Sequence, residues 1–375
     1  MHKRLAALAL AAASVIVLSG CSTTATAQGN GDGTVQVVAS TNVYGSLAAE
    51  IGGDRVTVTS LIDSIAKDPH SYEATARDRL AVQNADLVIE NGGGYDAFMA
   101  ELRDGADAAV ITAVEFSHDY PGATVEDDGH GEEHGHADAE AEADADAAEH
   151  EHADADEAEH AGADEAEHDH ADADAAKHDH ADEAAHADET EHEHAHDHAH
   201  IAGFNEHVWF DPHTVSHVAE QIAADLTELD PTGKADFDAN AEKLAKELEA
   251  IESELAGLHE KLEGTPVFIT EPLPGLLAAA AGVDDVTPDG FASAVEEGSD
   301  VAPATLLEAL SLIDDGKVRA VLANAQTGGS ETSRVEDAAK QAGIPVLTFS
   351  ELLDTDQSYA EWMRDAISDL AALQK

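Results

Sequence analysis

Histidine is concentrated in one tract of this chain, where it alternates with acidic residues and alanine. Sixteen of the 23 histidines lie between Gly129 and Ile201. Neutral imidazole is a good ligand for zinc, copper and nickel, so we expect the tract to act as an accessory collector of such ions or as a sensor of metal excess. A solvated spacer is the alternative. The accessory ligands that we predict stand at the end of the tract: His192, His194, His196, His198 and His200.

Two histidines outside the tract stand where a metal ion could be held more firmly. His70 lies in a proline-containing loop after a predicted strand, and His207 lies directly before the aromatic pair Trp209-Phe210 and a predicted helix. Ligands of open α/β sheets bind beyond the carboxyl ends of strands, so the position of His70 suits a metal ligand. A solvated loop histidine is the alternative, because two histidines from separate segments do not by themselves establish a site.

A second pair of histidines is separated by four positions. His213 and His217 therefore lie on one face of the helix predicted after Pro212. Two imidazoles at this spacing could share a metal ion. An exposed or supporting role is the alternative that the sequence favours.

The segments before the tract alternate between short apolar strands and helices. Such alternation usually gives a largely parallel sheet. The strands are predicted at 35–40, 56–62, 87–91 and 110–114, and the helices at 43–51 and 76–84.

The segments after the tract repeat this alternation around a long helix. The helix predicted over 236–262 places apolar residues three or four positions apart, along one buried stripe. Further strands are predicted at 266–270, 320–323 and 345–348, and further helices at 212–229, 302–314, 331–342 and 359–373. We therefore predict an α/β fold with two βα lobes and mostly parallel sheets, joined by one long helix, and a binding site in the cleft between the lobes.

Acidic residues dominate the composition and give a formal net charge of −61 at pH 7. Thirty Asp and Glu residues and one Lys between Glu126 and His200 contribute about half of that charge. Like charges with few large apolar residues predict a disordered loop over 126–203 when metal is absent. Nucleic acid and anionic ligands are poor partners, because the protein would repel phosphate. The charge favours a cation as the ligand.

The N-terminal segment is typical of a bacterial lipoprotein. A basic start and a short apolar run precede small residues and Cys21, so we predict a signal peptide over 1–21 with lipidation at Cys21. An ordinary signal peptide or an uncleaved anchor is the alternative. Cys21 is the only cysteine, which excludes an intrachain disulfide. Residues 22–34 are predicted to form a flexible tether. The protein would then be anchored at the outer face of the cytoplasmic membrane, or would lie in the periplasm.

Three features follow one another along the chain: Asp68-Pro69-His70-Ser71-Tyr72-Glu73, the acidic histidine tract, and His207-Val208-Trp209-Phe210-Asp211-Pro212. With these features, residues 35–373 resemble the zinc- and manganese-binding receptors of bacterial ABC importers, in which the tract is a variable insertion. The resemblance implies two α/β lobes bridged by a rigid long helix, with the metal ion between the lobes.

The resemblance also implies four metal ligands. His70 and His207 would come from the first lobe. Glu271 would follow the first strand of the second lobe, and Glu351 would follow its last strand. Asp354 is the alternative to Glu351, and either glutamate could instead cap a helix N-terminus. Two imidazoles and two carboxylates suit Zn²⁺ and also Mn²⁺, whereas the histidine tract favours zinc.

We therefore predict a monomeric receptor, not an enzyme, that captures Zn²⁺ and delivers it to an importer permease driven by a partner ATPase. A manganese receptor, a metal-storage or adhesion lipoprotein, and a metallohydrolase are the alternatives. The predicted divisions are the signal peptide (1–21), the tether (22–34), the first lobe (35–125), the histidine-rich loop (126–203), the rest of the first lobe (204–235), the linker helix (236–263) and the second lobe (264–375).

Overall fold

The computed structural model describes residues 33–121, 201 and 203–374, and the fold is given for these residues. The predicted signal peptide with Cys21, most of the tether and most of the histidine-rich loop lie outside them. The predicted accessory metal ligands also lie outside the described residues: His192, His194, His196, His198 and His200.

The first sheet has four parallel strands. They span Val35–Thr41 (β1), Val56–Ile62 (β2), Leu87–Glu90 (β3) and Ala109–Thr112 (β4). Their order is β2-β1-β3-β4, with β1 and β3 almost wholly buried, as expected for parallel strands covered by helices. The strand predicted at 110–114 ends earlier, because Ala113–Phe116 forms a 3₁₀ helix.

The second sheet repeats this topology. Its parallel strands span Thr265–Ile269 (β5), Val283–Asp285 (β6), Ala320–Asn324 (β7) and Val346–Phe349 (β8). Their order is β6-β5-β7-β8, which matches the first sheet strand for strand. Each sheet belongs to one lobe, so the predicted two-lobe α/β fold is confirmed.

The described residues form ten α-helices. They are Asn42–Gly52 (α1), Ala76–Gln83 (α2), Phe98–Arg103 (α3), Pro212–Leu229 (α4), Lys234–Leu262 (α5), Gly275–Ala280 (α6), Phe291–Glu296 (α7), Pro303–Asp314 (α8), Ser330–Ala342 (α9) and Tyr359–Ala371 (α10). The sequence pattern does not predict α3, α6, α7 or β6. Each of these elements has six or fewer residues, and no clear hydrophobic periodicity marks them. Within the described residues, no helix has the length and apolarity that crossing a bilayer requires.

The long helix α5 is part of the core of both lobes. It has 29 residues and begins two positions before its predicted start. It packs against α1 and α4 on one side and against α6 and α10 on the other. Its predicted apolar stripe is buried and consists of Leu244, Leu248, Ile251, Leu255, Leu258 and Leu262, and Phe237 is buried as well. One continuous apolar cluster therefore connects the two sheets through α5.

Three glycines after β3 form a turn that other residues adopt with difficulty. Gly92, Gly93 and Gly94 have φ angles of 81°, 69° and 104°. A Cβ atom on Gly92 would also lie 2.5 Å from Thr112 Cγ2, so β4 leaves no space for a side chain. The turn leads directly to Tyr95, which is fully buried.

Replacing Leu248 by alanine should destabilise the protein through α5. Leu248 is 1% exposed, so the substitution leaves a cavity and should lower the free energy of unfolding by about 2–5 kcal/mol. Urea unfolding followed by circular dichroism measures this loss. The control Glu249→Ala, at the exposed neighbouring position, should change the free energy by less than about 0.5 kcal/mol. Equal effects of the two substitutions would contradict the role assigned to the stripe.

Candidate metal centre

The predicted ligands follow the carboxyl ends of parallel strands. His70 lies in the loop after β2, Glu271 stands two residues after β5, and Glu351 stands two residues after β8. All strands of a parallel sheet end at one edge, and ligands of such sheets bind there. The topology therefore gathers side chains from distant parts of the sequence at one edge of each sheet.

An aspartate turn positions His70. The Asp68 carboxylate accepts hydrogen bonds from the His70 backbone N–H at 2.9 Å and from the Ser71 hydroxyl at 2.7 Å. Pro69 restricts the backbone between them. The imidazole of His70 packs edge-on against Tyr95, with ring centroids 5.0 Å apart. Both the backbone and the ring of His70 are thus fixed.

Asn205 orients the ring of His207. Its side-chain oxygen accepts a hydrogen bond from the His207 backbone N–H at 3.0 Å and lies 2.8 Å from Nδ1. Its amide nitrogen donates to the Pro272 carbonyl at 2.9 Å, which fixes the orientation of the amide. Because an amide oxygen only accepts, Nδ1 carries the proton and Nε2 of the neutral ring keeps its lone pair. Nε2 lies 3.5 Å from Glu296 Oε1, so this nitrogen faces the second lobe.

Trp209 anchors the segment that carries His207. Its backbone carbonyl accepts a hydrogen bond from the Tyr359 hydroxyl at 2.8 Å. Its indole packs against Tyr95, with centroids 4.5 Å apart, and against the imidazole of His207, with centroids 5.1 Å apart. The aromatic contacts therefore hold the ring of His207 at the edge of the first lobe.

Three ligand groups converge in the described part of the chain. His70, His207 and Glu296 each offer one donor atom, and these atoms all lie within 4.8 Å of one another. The two imidazole centroids are 6.1 Å apart. The histidines belong to the first lobe and Glu296 ends α7 of the second lobe, so the group spans the cleft. The structure brings together two predicted ligands and one that the sequence did not indicate.

The other two predicted ligands are buried beside Asn324, the last residue of β7. Asn324 Nδ2 donates to Glu271 Oε2 at 2.9 Å and to Glu351 Oε1 at 2.7 Å. The Tyr95 hydroxyl donates across the cleft to Glu351 Oε2 at 2.9 Å, and the Thr327 hydroxyl donates to Glu271 Oε2. Glu271 is 4% exposed and Glu351 is 1% exposed. Neutral donors therefore hold both carboxyl groups in place.

Glu271 and Glu351 are not members of the group of donor atoms within 4.8 Å, and their roles as metal ligands stay predictions. The helix after Glu271 begins at Gly275, with Pro274 at its N-cap position, so Glu271 does not cap it. Asp354, the alternative to Glu351, is exposed.

Burial raises the pKa of each carboxyl group in the cleft. The pKa of Glu296 is raised to about 9, first by desolvation and then by neighbouring carboxylates. Desolvation raises the pKa of Glu351 to about 7, although hydrogen bonds from Asn324 and Tyr95 oppose the increase. Desolvation also raises the pKa of Glu271. The cluster therefore retains protons near neutral pH unless a cation replaces them.

No lysine or arginine of the described residues forms an ion pair with these three carboxyl groups; Glu296 Oε1 lies 3.5 Å from Nε2 of His207. In the first lobe, by contrast, the buried Glu90 lies 2.8 Å from the guanidinium of Arg103. Burying an uncompensated carboxylate costs several kcal/mol. A divalent cation between the imidazoles and the carboxylates would remove that cost.

Hydrogen bonds also join the lobes beside the cleft. The Asn42 side chain, at the start of α1, donates to the Leu353 carbonyl at 2.8 Å and accepts from the Leu353 backbone N–H at 3.1 Å. The bonds from Asn205 to Pro272 and from Tyr95 to Glu351 also cross the cleft. The described arrangement therefore has the two lobes in direct polar contact.

The sequence pattern does not single out four residues of the site: Glu296, Tyr95, Asn324 and Asn205. Tyr95 follows β3 and Asn324 ends β7, so the strand-end rule that indicated His70 could have found them. Asn205 could have been found as a polar neighbour of His207, since metal-binding histidines usually have a second partner. Glu296 offers no such indication, because Glu296-Glu297-Gly298 looks like an exposed acidic turn.

One family model matches nearly the whole chain. The model described as "Zinc-uptake complex component A periplasmic" (ZnuA) matches residues 37–373. The chain belongs to this family. The match begins within β1 and ends just beyond α10, so it includes both lobes and α5.

Curated relatives match over shorter regions. The iron ABC transporter substrate-binding lipoprotein MtsA of Streptococcus pyogenes serotype M1 is 32% identical over 108 residues, which are 29% of this chain and 32% of the relative. The manganese-binding lipoprotein MntA of Halalkalibacterium halodurans is 26% identical over 99 residues, which are 26% of this chain and 33% of the relative. The chain thus spans about a third of the length of these relatives.

The fold matches that of a solved receptor. The periplasmic zinc binding protein TroA from Treponema pallidum has a TM-score of 0.59 at 16% identity, with 91% of this chain and 99% of that chain covered. At this identity the likeness shows the fold, and the ZnuA-family assignment rests on the family model.

Zn²⁺ binding should displace a proton from Glu296. With a pKa raised to about 9, this carboxyl group is protonated near neutral pH and must lose its proton to bind a cation. The affinity for Zn²⁺ should therefore rise with pH up to about 9. Glu296→Gln should release about one proton fewer per Zn²⁺ bound, which calorimetry in buffers of different ionisation enthalpy measures.

Glu297→Gln is the matched control for this experiment, because Glu297 is the exposed neighbour with the same chemistry. It should leave proton release unchanged. If Glu296→Gln released as many protons as the unchanged protein, Glu296 would take no part in metal binding.

Proposed function

We propose that this protein is an extracytoplasmic receptor that captures Zn²⁺ between its lobes and delivers it to an ABC-type importer permease driven by a partner ATPase. The observation that carries this proposal is the meeting of two oriented histidines with buried carboxyl groups that lack a lysine or arginine partner among the described residues. Membership of the ZnuA family supports it. Capture and delivery break no covalent bond, so the proposed protein is a binding protein and not an enzyme.

The proposed ligands are His70, His207 and Glu296, together with one further carboxylate. His207 would bind through Nε2, since its Nδ1 is hydrogen-bonded. A fourth ligand completes the tetrahedral shell that Zn²⁺ prefers. Glu271 is better placed for this role than Glu351. Glu271 Oε1 is buried and accepts no hydrogen bond from the described residues, whereas both oxygens of Glu351 accept one.

Zn²⁺ is the proposed ion and Mn²⁺ is the alternative. Imidazole ligands suit zinc, and carboxylate ligands also suit manganese, so the cleft admits both. The similar proteins named above carry names for iron, manganese and zinc, which does not favour the manganese alternative. The concentration of imidazole in the histidine tract supports zinc.

The segments outside the described residues would serve delivery. We propose that the histidine-rich loop collects zinc, and that Cys21, once lipidated, anchors a monomeric protein at the outer face of the cytoplasmic membrane. Relatives that are named lipoproteins support the anchor. A metal-storage or adhesion lipoprotein is the alternative, in which the loop itself would be the functional part.

Competitive titration of the metal-free full chain with Zn²⁺ and Mn²⁺ tests the proposal. We expect one tight site that prefers Zn²⁺, in addition to weak sites in the tract. Substituting alanine for both His70 and His207 should weaken the tight site by more than about 100-fold, because loss of supporting residues alone costs about 10–100-fold. The control His118→Ala, at a position with a 68% exposed side chain, should leave the tight site unchanged.

Deletion of residues 126–200 distinguishes a receptor from a storage protein. A receptor keeps its tight site after the deletion, whereas a storage protein loses nearly all bound metal. A site that stayed tight in the double histidine variant would place the ligands elsewhere. Preference for Mn²⁺ would favour the alternative ion.

A further inference from the structure

A second pair of histidines lies on the surface of α4. The rings of His213 and His217 are one helical turn apart and nearly perpendicular at 89°, with centroids 4.8 Å apart. Their Nε2 atoms are 3.4 Å apart. The spacing of four residues places the two side chains on one face of the helix. The ring geometry adds that the Nε2 atoms of both rings lie next to each other.

The distance between the two Nε2 atoms matches the distance between two nitrogen ligands of one metal ion. In a tetrahedral site with Zn–N distances of about 2.0–2.1 Å, two nitrogen ligands lie about 3.4 Å apart. We propose that His213 and His217 form an accessory site that binds one Zn²⁺, or a similar borderline cation such as Ni²⁺ or Cu²⁺, through both Nε2 atoms.

The other nitrogen of each ring faces a carboxylate. His213 Nδ1 lies 3.9 Å from Glu252 Oε1 on α5, and His217 Nδ1 lies 3.7 Å from Glu220 Oε2 on α4. A carboxylate on this side favours the tautomer with its proton on Nδ1, which is the usual state of a metal-bound histidine with a carboxylate partner. When both protons are on Nδ1, both Nε2 atoms have a lone pair available for a cation. In the other arrangement one Nε2 donates a hydrogen bond to its neighbour, and a cation that binds both atoms replaces that bond.

The pair differs from the cleft in exposure. The His213 side chain is 49% exposed and the His217 side chain 18%, compared with 2% for His207. Water can therefore complete the coordination shell, and two protein ligands give a weaker site than the cleft. The inference does not rest on the proposed function, because the pair shares no residue with the cleft.

Residue-resolved chemical modification of the full chain tests this site. Diethylpyrocarbonate, which modifies uncoordinated imidazole, is applied with and without buffered free Zn²⁺, and mass spectrometry measures the rate at each histidine. At a free Zn²⁺ concentration about ten times the dissociation constant of the pair, modification of His213 and His217 should slow together by about tenfold. The exposed His118 should show no protection.

His217→Ala removes one ligand at the helix surface and leaves the cleft intact. In this variant Zn²⁺ should no longer protect His213, whereas competitive titration of the tight site reports separately on the cleft. Equal protection of His213 with and without His217 would overturn the proposal. So would free modification of both histidines at every Zn²⁺ concentration that the protein tolerates, since the pair would then be hydrogen-bonded only.

Discussion

The cleft is constrained by three carboxyl groups that have no lysine or arginine partner among the described residues. Glu271 and Glu351 are buried, and the side chain of Glu296 is 9% exposed. Each negative charge there would cost several kcal/mol, because the surroundings solvate it poorly. The raised pKa values of Glu296 and Glu351 show that protonation avoids this cost in the metal-free protein. A divalent cation bound beside these carboxyl groups would make their ionised form favourable again. The energetic cost of burying these carboxylates and their attraction for a cation therefore have the same physical origin.

The side chains that donate hydrogen bonds to Glu271 and Glu351 are neutral, so they do not cancel the negative charge of the ionised carboxyl groups. Asn324 donates to both Glu271 and Glu351, and Tyr95 donates to Glu351 from the opposite lobe. Amide and hydroxyl donors fix the position of a carboxylate but do not neutralise it, unlike the guanidinium beside Glu90. Neutral donors thus position the carboxyl groups without compensating their charge, and a bound cation would compensate it.

The cleft and the α4 pair show how surroundings change the same ligand. His207 is buried, oriented by a neutral amide and held between aromatic rings. His213 and His217 lie at the helix surface and face carboxylates. Burial removes water that would compete for the metal ion, so a buried donor set can bind tightly and select among ions. An exposed pair keeps water in its shell and exchanges its ion more readily.

Local patterns in the sequence determined the regular elements and part of the site. The apolar stripe of α5 has helical periodicity, and the strands have short apolar runs, so each is encoded within a few neighbouring residues. His70 and His207 stood out because their flanking residues indicate a strand end and a helix start. The tertiary structure alone decided that Glu296 meets His207, and that Tyr95 and Asn324 hold Glu351. These contacts join residues far apart in sequence, and those of Glu296 with His207 and of Tyr95 with Glu351 cross between the lobes. Such proximity follows from packing around α5, which no local pattern records.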